Sequence, residues 1–332
     1  MTDQGTPALV TGATGGLGVA LVEVLLADGY RVTATGRSTA WSDRLRAMGA
    51  RFVAADLTVE GVAEQLCRDQ QVVFHAAALS RAWGPAEAFE AINLAATARL
   101  LEAARRSGCG RFVFISSPSV YARLRDQIGL TEADPPAARP LNHYARTKLA
   151  AERLVQSANG PGFLTVAVRP RAIVGPDDQV ILPALVGLLR RSRVPLLRDG
   201  TALVEPTDVR DVAHAVRLVA SNAARLGGEV LNISGGQPTT VKEIATRLAA
   251  EIGLRVHFTP VALPVARVMA HAADFAARLT GPAAEPMLTR YALATLAYSQ
   301  TFDLTKARQR IGYCPRHDPM KTMLLAARKR FS

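Results

Sequence analysis

Short apolar runs alternate with longer amphipathic stretches through the first half of the chain. Pro7–Thr11, Arg31–Thr35, Arg51–Ala54, Val72–His75 and Arg111–Ser116 are short β-rich runs. Between them lie stretches with helical periodicity, Val19–Leu26 and Ala86–Arg106, the second marked by an apolar stripe of Phe89, Ile92 and Leu100. Phe163–Val168 supplies a further strand after the helical stretch Tyr144–Gln156. Strand–helix alternation of this kind predicts an α/β fold, a doubly wound parallel sheet covered on both faces. Such a sheet binds ligands at the carboxyl ends of its strands.

Beyond Arg169 the pattern changes. Proline interrupts at Pro170, Pro176, Pro183, Pro195, Pro206 and Pro238, and strands become rare. Helices are expected over Val209–Ala220, Val241–Ile252, Val261–Leu279 and Met287–Ala297, and Gly228–Ile233 reads as a strand returning to the sheet. The expected division is a sheet domain over 1–169, with returning segments near 200–235, and a smaller, mostly helical region over 170–332 that covers a substrate. There are no internal repeats and no low-complexity linker.

Of the 332 residues, 49% are hydrophobic and 20% charged, which excludes intrinsic disorder. The 40 Lys and Arg against 28 Asp and Glu leave a net charge of +12, which invites a nucleic-acid reading. The bases are nearly all arginine, however, and scattered; only Arg328-Lys329-Arg330 forms a cluster, and 5% aromatics is too few for a stacking platform. The charge is therefore read as solubility and a preference for anionic ligands, with no nucleic-acid partner. Cys67, Cys109 and Cys314 are odd in number and contain no CxxC pair, which argues against a disulfide framework or a zinc site and fits a reducing cytoplasm. Met1-Thr2-Asp3-Gln4-Gly5 lacks a basic region followed by an apolar stretch, so no signal peptide is expected. The most apolar run, Ile181–Leu189, ends at Arg190-Arg191, short of the roughly 18 residues that span a bilayer. A soluble, cytoplasmic protein without a metal site is expected.

The first chemical signal is Thr11-Gly12-Ala13-Thr14-Gly15-Gly16-Leu17-Gly18, which follows the first strand and opens the first helix. Glycines there permit a tight turn and a close backbone approach to a pyrophosphate, and the helix N-terminus offers free N–H groups to that anion. The second strand ends Thr35-Gly36-Arg37-Ser38, with glycine where an acid would hold the adenosine ribose of NAD and an arginine beside it. A guanidinium can clamp a 2′-phosphate, so NADP(H) is preferred and NAD(H) remains possible. Asp56-Leu57 would face the adenine, or Asp56 simply caps a turn beside Thr58. His75-Ala76-Ala77-Ala78 closes the fourth strand with small residues that let a cofactor ribose lie against the backbone; His75 itself reads as a core histidine.

Tyr144-Ala145-Arg146-Thr147-Lys148 is the strongest signal, because residues four apart share a helix face and both side chains can enter one cleft. A tyrosine of ordinary pKa, about 10, is a poor base at neutral pH, and a nearby ammonium favours its phenolate. Lys148 is the first lysine in a chain that otherwise uses arginine up to Lys242, which suggests a task for a compact ammonium of tunable pKa. Upstream, the fifth strand ends in Ser116-Ser117-Pro118-Ser119, where a hydroxyl can bond a substrate carbonyl and hold it against the tyrosine.

Together TGxxGxxG, HAAA, SSPSV, YxxxK and Arg169-Pro170-Arg171-Ala172-Ile173-Val174-Gly175-Pro176 resemble the extended short-chain dehydrogenases/reductases, over nearly the whole chain. The 3β-hydroxysteroid dehydrogenase branch, which includes sterol dehydrogenases and bacterial 2-alkyl-3-keto acid reductases, is most similar; Trp83-Gly84, Asp208–Ala215, Gly235–Pro238, Glu285–Arg290 and Phe302-Asp303 support it. The resemblance implies a Rossmann-type fold, Tyr144 as general acid/base, Lys148 as its electrostatic partner and holder of the nicotinamide ribose, and Ser117, rather than Ser116, as the catalytic serine. It further implies a supporting polar role for Asn93, contacts of Pro170 and Ile173 with the nicotinamide, and a homodimer through Ala86–Arg106 and Tyr144–Gln156. Trp83 and Pro118 are candidate substrate contacts.

The implied reaction interconverts a ketone and a secondary alcohol. Val261, Leu263, Val265, Val268, Met269, Phe275 and Leu279 are expected to give apolar surface to a region capping the site, favouring a hydrophobic substrate and weak membrane-surface access, or else to form an ordinary core helix. Sugar dehydration is disfavoured, because Pro118-Ser119 stands where a dehydratase would carry an acidic pair. A nucleotide-sugar epimerase with a retained NAD(P) is the alternative, and a non-enzymatic NADP-binding sensor the third.

Overall fold

The computed structural model describes residues 5–191, 193–280, 286 and 288–331, without the side chains of 277–280. The N-terminal Met1–Gln4, Glu285, Met287 and the Leu279 side chain, on which expectations above fell, lie outside the described residues.

Seven strands form one parallel sheet: β1 (Pro7–Thr11), β2 (Arg31–Gly36), β3 (Arg51–Ala54), β4 (Val72–His75), β5 (Arg111–Ile115), β6 (Leu164–Pro170) and β7 (Val230–Ile233). Their order is β7-β6-β5-β4-β1-β2-β3, every pairing parallel. The order reverses between β1 and β4, which opens a crevice at their carboxyl ends.

The inner strands are buried on both sides, and the alternation of their side chains sorts them between two cores, while of the edge strand β3 only Phe52 is buried. Ala8, Val10, Phe74, Val113 and Val168 pack with Leu21 of helix α1 (Gly16–Ala27) and, further along the chain, with Val216 of the helix Val209–Ser221. Leu9, Val73, Phe112, Phe114 and Ala167 face the other way, onto helix α2 and helix α3 (His143–Ser157). Helix α2 starts as Ala86–Phe89, widens through a π turn at Glu90–Ala95 and continues as Ala96–Arg106.

After β6 the chain builds a second cluster from α4 (Ile181–Leu189), α6 (Val241–Glu251) and the C-terminal helix Pro319–Phe331, between which Leu182, Val186, Leu189, Ile244, Leu248 and Met323 are buried. Helix α5 (Val209–Ser221) and β7 rejoin the sheet from this region. Helix α7 (Leu263–Thr280) begins two residues later than its sequence pattern suggests, because Val261 ends a strand, His257–Val261, paired with Arg193–Leu197. Helix α8 spans Arg290–Ala297, and α9 is Pro319–Phe331.

Strands are less rare beyond Arg169 than expected. Ile173–Val174 pairs with Thr207–Asp208, Leu203–Val204 with Thr239–Thr240, and Gln300–Phe302 with Gln127–Leu130. Two-residue ladders carry no readable periodicity, and Pro195 disguises Arg193–Leu197 as a loop.

The basic run near the C-terminus is not a patch. Arg328 pairs with Glu251 at 2.5 Å, Arg330 donates to the Asp178 carbonyl, and Lys329 turns toward the central cavity. Among the described residues no helix is long and apolar enough to cross a membrane, and no group of His, Cys, Asp and Glu could hold a metal ion.

Candidate active site

One cavity of about 1630 Å³ runs from the glycine turn, past Tyr144, to the clustered helices of the second half. At its first end Gly12 adopts φ +68°, and a Cβ built there would lie 2.6 Å from the Ala77 nitrogen. A Cβ on Gly18 would lie 2.1 Å from the Gly12 carbonyl oxygen. The turn therefore requires glycine at both positions. The N-terminus of α1 has neither a side-chain cap nor an acid in its first turn, so its amides remain available to an anion. Gly12, Thr14, Gly15, Gly16, Leu17 and Gly18 all line the cavity, as do Ala76, Ala77 and Ala78 across the crevice. These residues fit a dinucleotide: a bare helix N-terminus, a backbone no side chain obstructs, and space beside it.

At the adenosine end Arg37, Asp56 and Leu57 line the cavity. Asp56 accepts hydrogen bonds from Thr58 N at 2.9 Å and Thr58 Oγ1 at 2.7 Å. These bonds, followed by the Arg37 charge, hold its carboxyl below the usual range, so Asp56 caps a turn as well as facing the cavity. Ser38 lies just outside the lining, its Oγ accepting from Ala40 N at 3.4 Å to start a short 3₁₀ turn. Arg44 does line it, held 3.0 Å from Asp177 and 5.0 Å over the Trp41 ring. No motif marks Arg44 in the sequence.

Helix α3 supplies the reacting end. Asn142 Oδ1 caps it by accepting from Ala145 N at 2.8 Å. Tyr144, Lys148 and Glu152 then follow at four-residue intervals on one face. Burial pushes the Tyr144 phenol up to about 12, outweighing the Ser117 and Ser80 hydroxyls, which act to lower it. The Lys148 ammonium donates to the Ile115 carbonyl and lies 4.0 Å over the Phe114 ring, while burial brings its own pKa down to about 7 against the opposing Glu152 charge.

The two serines separate cleanly. Ser116 Oγ donates to Glu152 at 2.6 Å, and Glu152 is held by a buried Arg169, whose Nε donates to it at 2.8 Å. Ser116 lines the cavity but its hydroxyl is committed to that network. Ser117 Oγ accepts from Ser119 N at 3.2 Å and meets the Tyr144 phenol, which leaves it as the hydroxyl available to a carbonyl.

Asn93 is placed differently from a catalytic group. It lies in the π turn of α2, outside the cavity lining, with Oδ1 accepting from Leu79 N at 2.7 Å and Nδ2 donating to Leu79 O and Thr147 Oγ1, both at 3.3 Å. It braces the segment after β4 against α3, so it positions rather than reacts. His75 is a core histidine as expected: its ring nitrogens share hydrogen bonds with Thr11 Oγ1 at 2.7 Å and Thr97 Oγ1 at 2.8 Å, and burial brings its pKa down to about 3.

Pro118, Pro170, Ile173 and Trp83 line the cavity, and the Trp83 indole N–H has no partner among the described residues. Ser80 and Tyr291, both lining it and both acting on Tyr144, escaped sequence reasoning because neither belongs to a motif.

Past Tyr144 the wall is mostly apolar, with Arg210, Thr322 and Lys329 the polar exceptions around α9. Ile181, Leu185 and Leu188 of α4, Ile244 of α6, Phe258, and Met323 of α9 face the space. The capping surface expected from the Val261–Leu279 stretch is therefore corrected. None of the described side chains of helix α7 lines the cavity; Ala266 and Ala270 are buried against Leu293 and Tyr298, while Val268 is 70% and Phe275 64% exposed. Its bulky side chains point outward because alanines form its packing stripe.

Residues 8–234 match the NAD dependent epimerase/dehydratase family. The chain is 34% identical to a 4-hydroxy-2-methyl-3-oxo-4-farnesyl-3,4-dihydroquinoline-1-oxide ketoreductase of Stigmatella aurantiaca, over 92% of this chain and 91% of that one. It is 30% identical to a 2-alkyl-3-oxoalkanoate reductase of Shewanella oneidensis (92% and 81% covered). A human sterol-4-alpha-carboxylate 3-dehydrogenase, decarboxylating, is 31% identical over 71% of this chain and 64% of its own. Among solved structures, MoeE5 in complex with UDP-glucose and NAD superposes with a TM-score of 0.76 at 28% identity, covering 98% of this chain and 100% of that one.

Proposed function

From the premise that this chain belongs to the NAD dependent epimerase/dehydratase family, the extended short-chain dehydrogenases/reductases, we propose that it is an NADP(H)-dependent oxidoreductase interconverting a ketone and a secondary alcohol on a hydrophobic substrate. The observation that carries the substrate class is the apolar wall of α4, α6 and α9 beyond Tyr144. Most side chains along that stretch are aliphatic and offer a diphosphate no donors, although Arg171, Arg210 and Lys329 also line the cavity. The names of the relatives agree with this wall, since they specify farnesyl, alkyl and sterol frameworks.

When bound, the nicotinamide supplies or accepts the hydride at the carbonyl carbon. The chain's own groups handle the rest. The bare N-terminus of α1 and the glycine turn hold the pyrophosphate, and Ala76–Ala78 leave room for the sugar. Ser117 Oγ donates to the substrate oxygen and fixes it beside the phenol. Tyr144 gives its proton to that oxygen in reduction and takes it back in oxidation. The phenol, protonated at neutral pH already at its ordinary value of about 10, is pushed further up by burial, which suits reduction. Lys148 keeps a positive charge below pH about 7 within the same pocket, secured by Ile115 and Glu152. Apolar walls exclude water from the reacting centre.

The preference for NADP rests on Arg37, together with Gly36, where a Cβ would strike Thr14 at 2.7 Å. Replacing Arg37 with Ala is expected to raise the KM for NADPH by about 10- to 100-fold, the worth of a charge-assisted bond, with little change for NADH. Equal losses for both cofactors would contradict the clamp. The apolar wall is tested by a series of straight-chain ketones. Their KM is expected to fall by up to about fourfold per added methylene until the cavity is filled, and a flat series would remove the argument for a hydrophobic substrate.

A further inference from the structure

Every residue of the segment Gly175–Val180, which joins the strand Ile173–Val174 to α4, lines the central cavity. Both ends of this segment are anchored in the second half of the chain. Ile173–Val174 pairs with Thr207–Asp208. Asp178 caps α4, its carboxylate accepting from Val180 N at 2.8 Å, Ile181 N at 3.0 Å and Leu182 N at 2.7 Å, and Arg330 of α9 donates to its carbonyl. The middle of the segment reaches the other half. The Asp177 carbonyl rests on the first residue of α1, where a Cβ built on Gly16 would lie 3.0 Å from that oxygen. The Asp177 carboxylate then meets Arg44, which lies 133 residues earlier in the short helix Ser42–Ala47. Arg44 Nη1 donates to Oδ1 at 3.2 Å, and Nη2 lies 3.0 Å from Oδ2. The Trp41 ring, 5.0 Å from the guanidinium carbon, backs the pair.

The place of this bridge is informative. Arg37, Asp56 and Leu57 line the adenosine end of the cavity and Tyr144 the reacting end, and the bare N-terminus of α1 belongs to the turn between them. That N-terminus is what a pyrophosphate would use, and it is what Asp177 touches. A carboxylate beside a pyrophosphate would repel it unless a cation compensates, and Arg44 supplies that cation while tying the segment down. A guanidinium bonding a carboxylate through two nitrogens has the geometry in which a partly exposed pair still holds.

We propose that Gly175–Val180 is a strap over the bound dinucleotide and that the Arg44–Asp177 pair is its latch, which sets how slowly the cofactor leaves. Asp178 and Arg330 keep the anchored end in place, whereas the half-exposed Arg44 can part from Asp177 and free the middle of the strap without unfolding its surroundings. The latch residues bond each other, so retention acts on NADPH and NADH alike. In this it differs from the Arg37 clamp, which acts on NADPH alone. The latch rests on the dinucleotide site of the proposed function and is independent of the substrate class.

The test measures cofactor release. The protein is loaded with NADPH or NADH and mixed by stopped flow with an excess of the oxidised form, and the loss of reduced-nicotinamide fluorescence gives the dissociation rate. Asp177→Asn is expected to release both cofactors about three- to tenfold faster than wild type, the range for an exposed but two-pronged ion pair. Added salt should speed release from the wild type more than from Asp177→Asn, because salt screens the exposed pair. Arg44→Asp and Asp177→Arg should each release quickly, and the double variant Arg44→Asp/Asp177→Arg should return to within about threefold of wild type, since the pair is restored in reverse. Unchanged or slower release from Asp177→Asn, or a change confined to one cofactor, would overturn the latch and leave the dinucleotide site standing. Should Asp177→Asn fail to fold, the reversed pair decides: a double variant as fast as its single parents would overturn the latch. Failure of the wild type to bind either cofactor would overturn the dinucleotide site itself, and the latch with it.

Discussion

Tyr144→Phe is expected to lower kcat by about 10²- to 10⁴-fold, the range for loss of a positioned acid/base, with the affinity for NADPH nearly unchanged. In the proposed reaction the phenol is the proton source, while the glycine turn Gly12–Gly18 that would hold the cofactor lies elsewhere along the same cavity. Burial pushes the phenol up to about 12, so its protonated form dominates throughout the neutral range. Reduction is accordingly expected to be flat with pH there. Oxidation, which needs the phenolate, should rise by about tenfold per pH unit until the phenol titrates. A Phe variant retaining most of its activity, or a wild-type oxidation rate that falls with pH, would contradict the assignment.

The largest effect on stability is expected at Glu152. Its carboxylate is 1% exposed and bonds Arg169 and Ser116, and Arg169 in turn donates to the Tyr121 hydroxyl with its guanidinium 4.7 Å from that ring. Glu152→Leu leaves Arg169 charged and uncompensated between α3 and β6, at a cost of about 3–5 kcal/mol. The double variant Glu152→Leu/Arg169→Met is expected to recover most of that loss, because a well-packed apolar pair replaces two desolvated charges. Urea unfolding of the three proteins checks both statements. A single variant less than about 1 kcal/mol weaker than wild type would show that the network is not a structural support. The same substitution also removes the negative charge that raises the Lys148 pKa, so Lys148 should lose its proton at lower pH.

The sheet and the reacting end were legible because repeating physical constraints wrote them into the chain. Buried strands such as Val72–His75 are unbroken apolar runs, a glycine turn must keep Gly12 and Gly18, and a shared helix face requires the Tyr144–Lys148 spacing. What escaped depends on contacts between distant segments. Ser80 and Tyr291 meet Tyr144 only through the fold, and the two-residue ladders after Arg169 carry no period. Helix α7 was misjudged for the opposite reason: its apolar residues are visible in sequence, but its alanines, not its valines and phenylalanine, face the interior. Asn93 takes a supporting polar place rather than one at the cavity, since both ends of its amide are spent on Leu79 and Thr147.

The most direct measurement is cofactor consumption by the purified protein, supplied with NADPH or NADH and a panel of 3-ketosteroids, 2-alkyl-3-keto acids and small ketones. The account predicts oxidation of NADPH in preference to NADH, with a large hydrophobic ketone and poorly with small ones. No net consumption with any ketone, together with interconversion of a UDP-sugar, would contradict it and make the chain an epimerase with a retained cofactor.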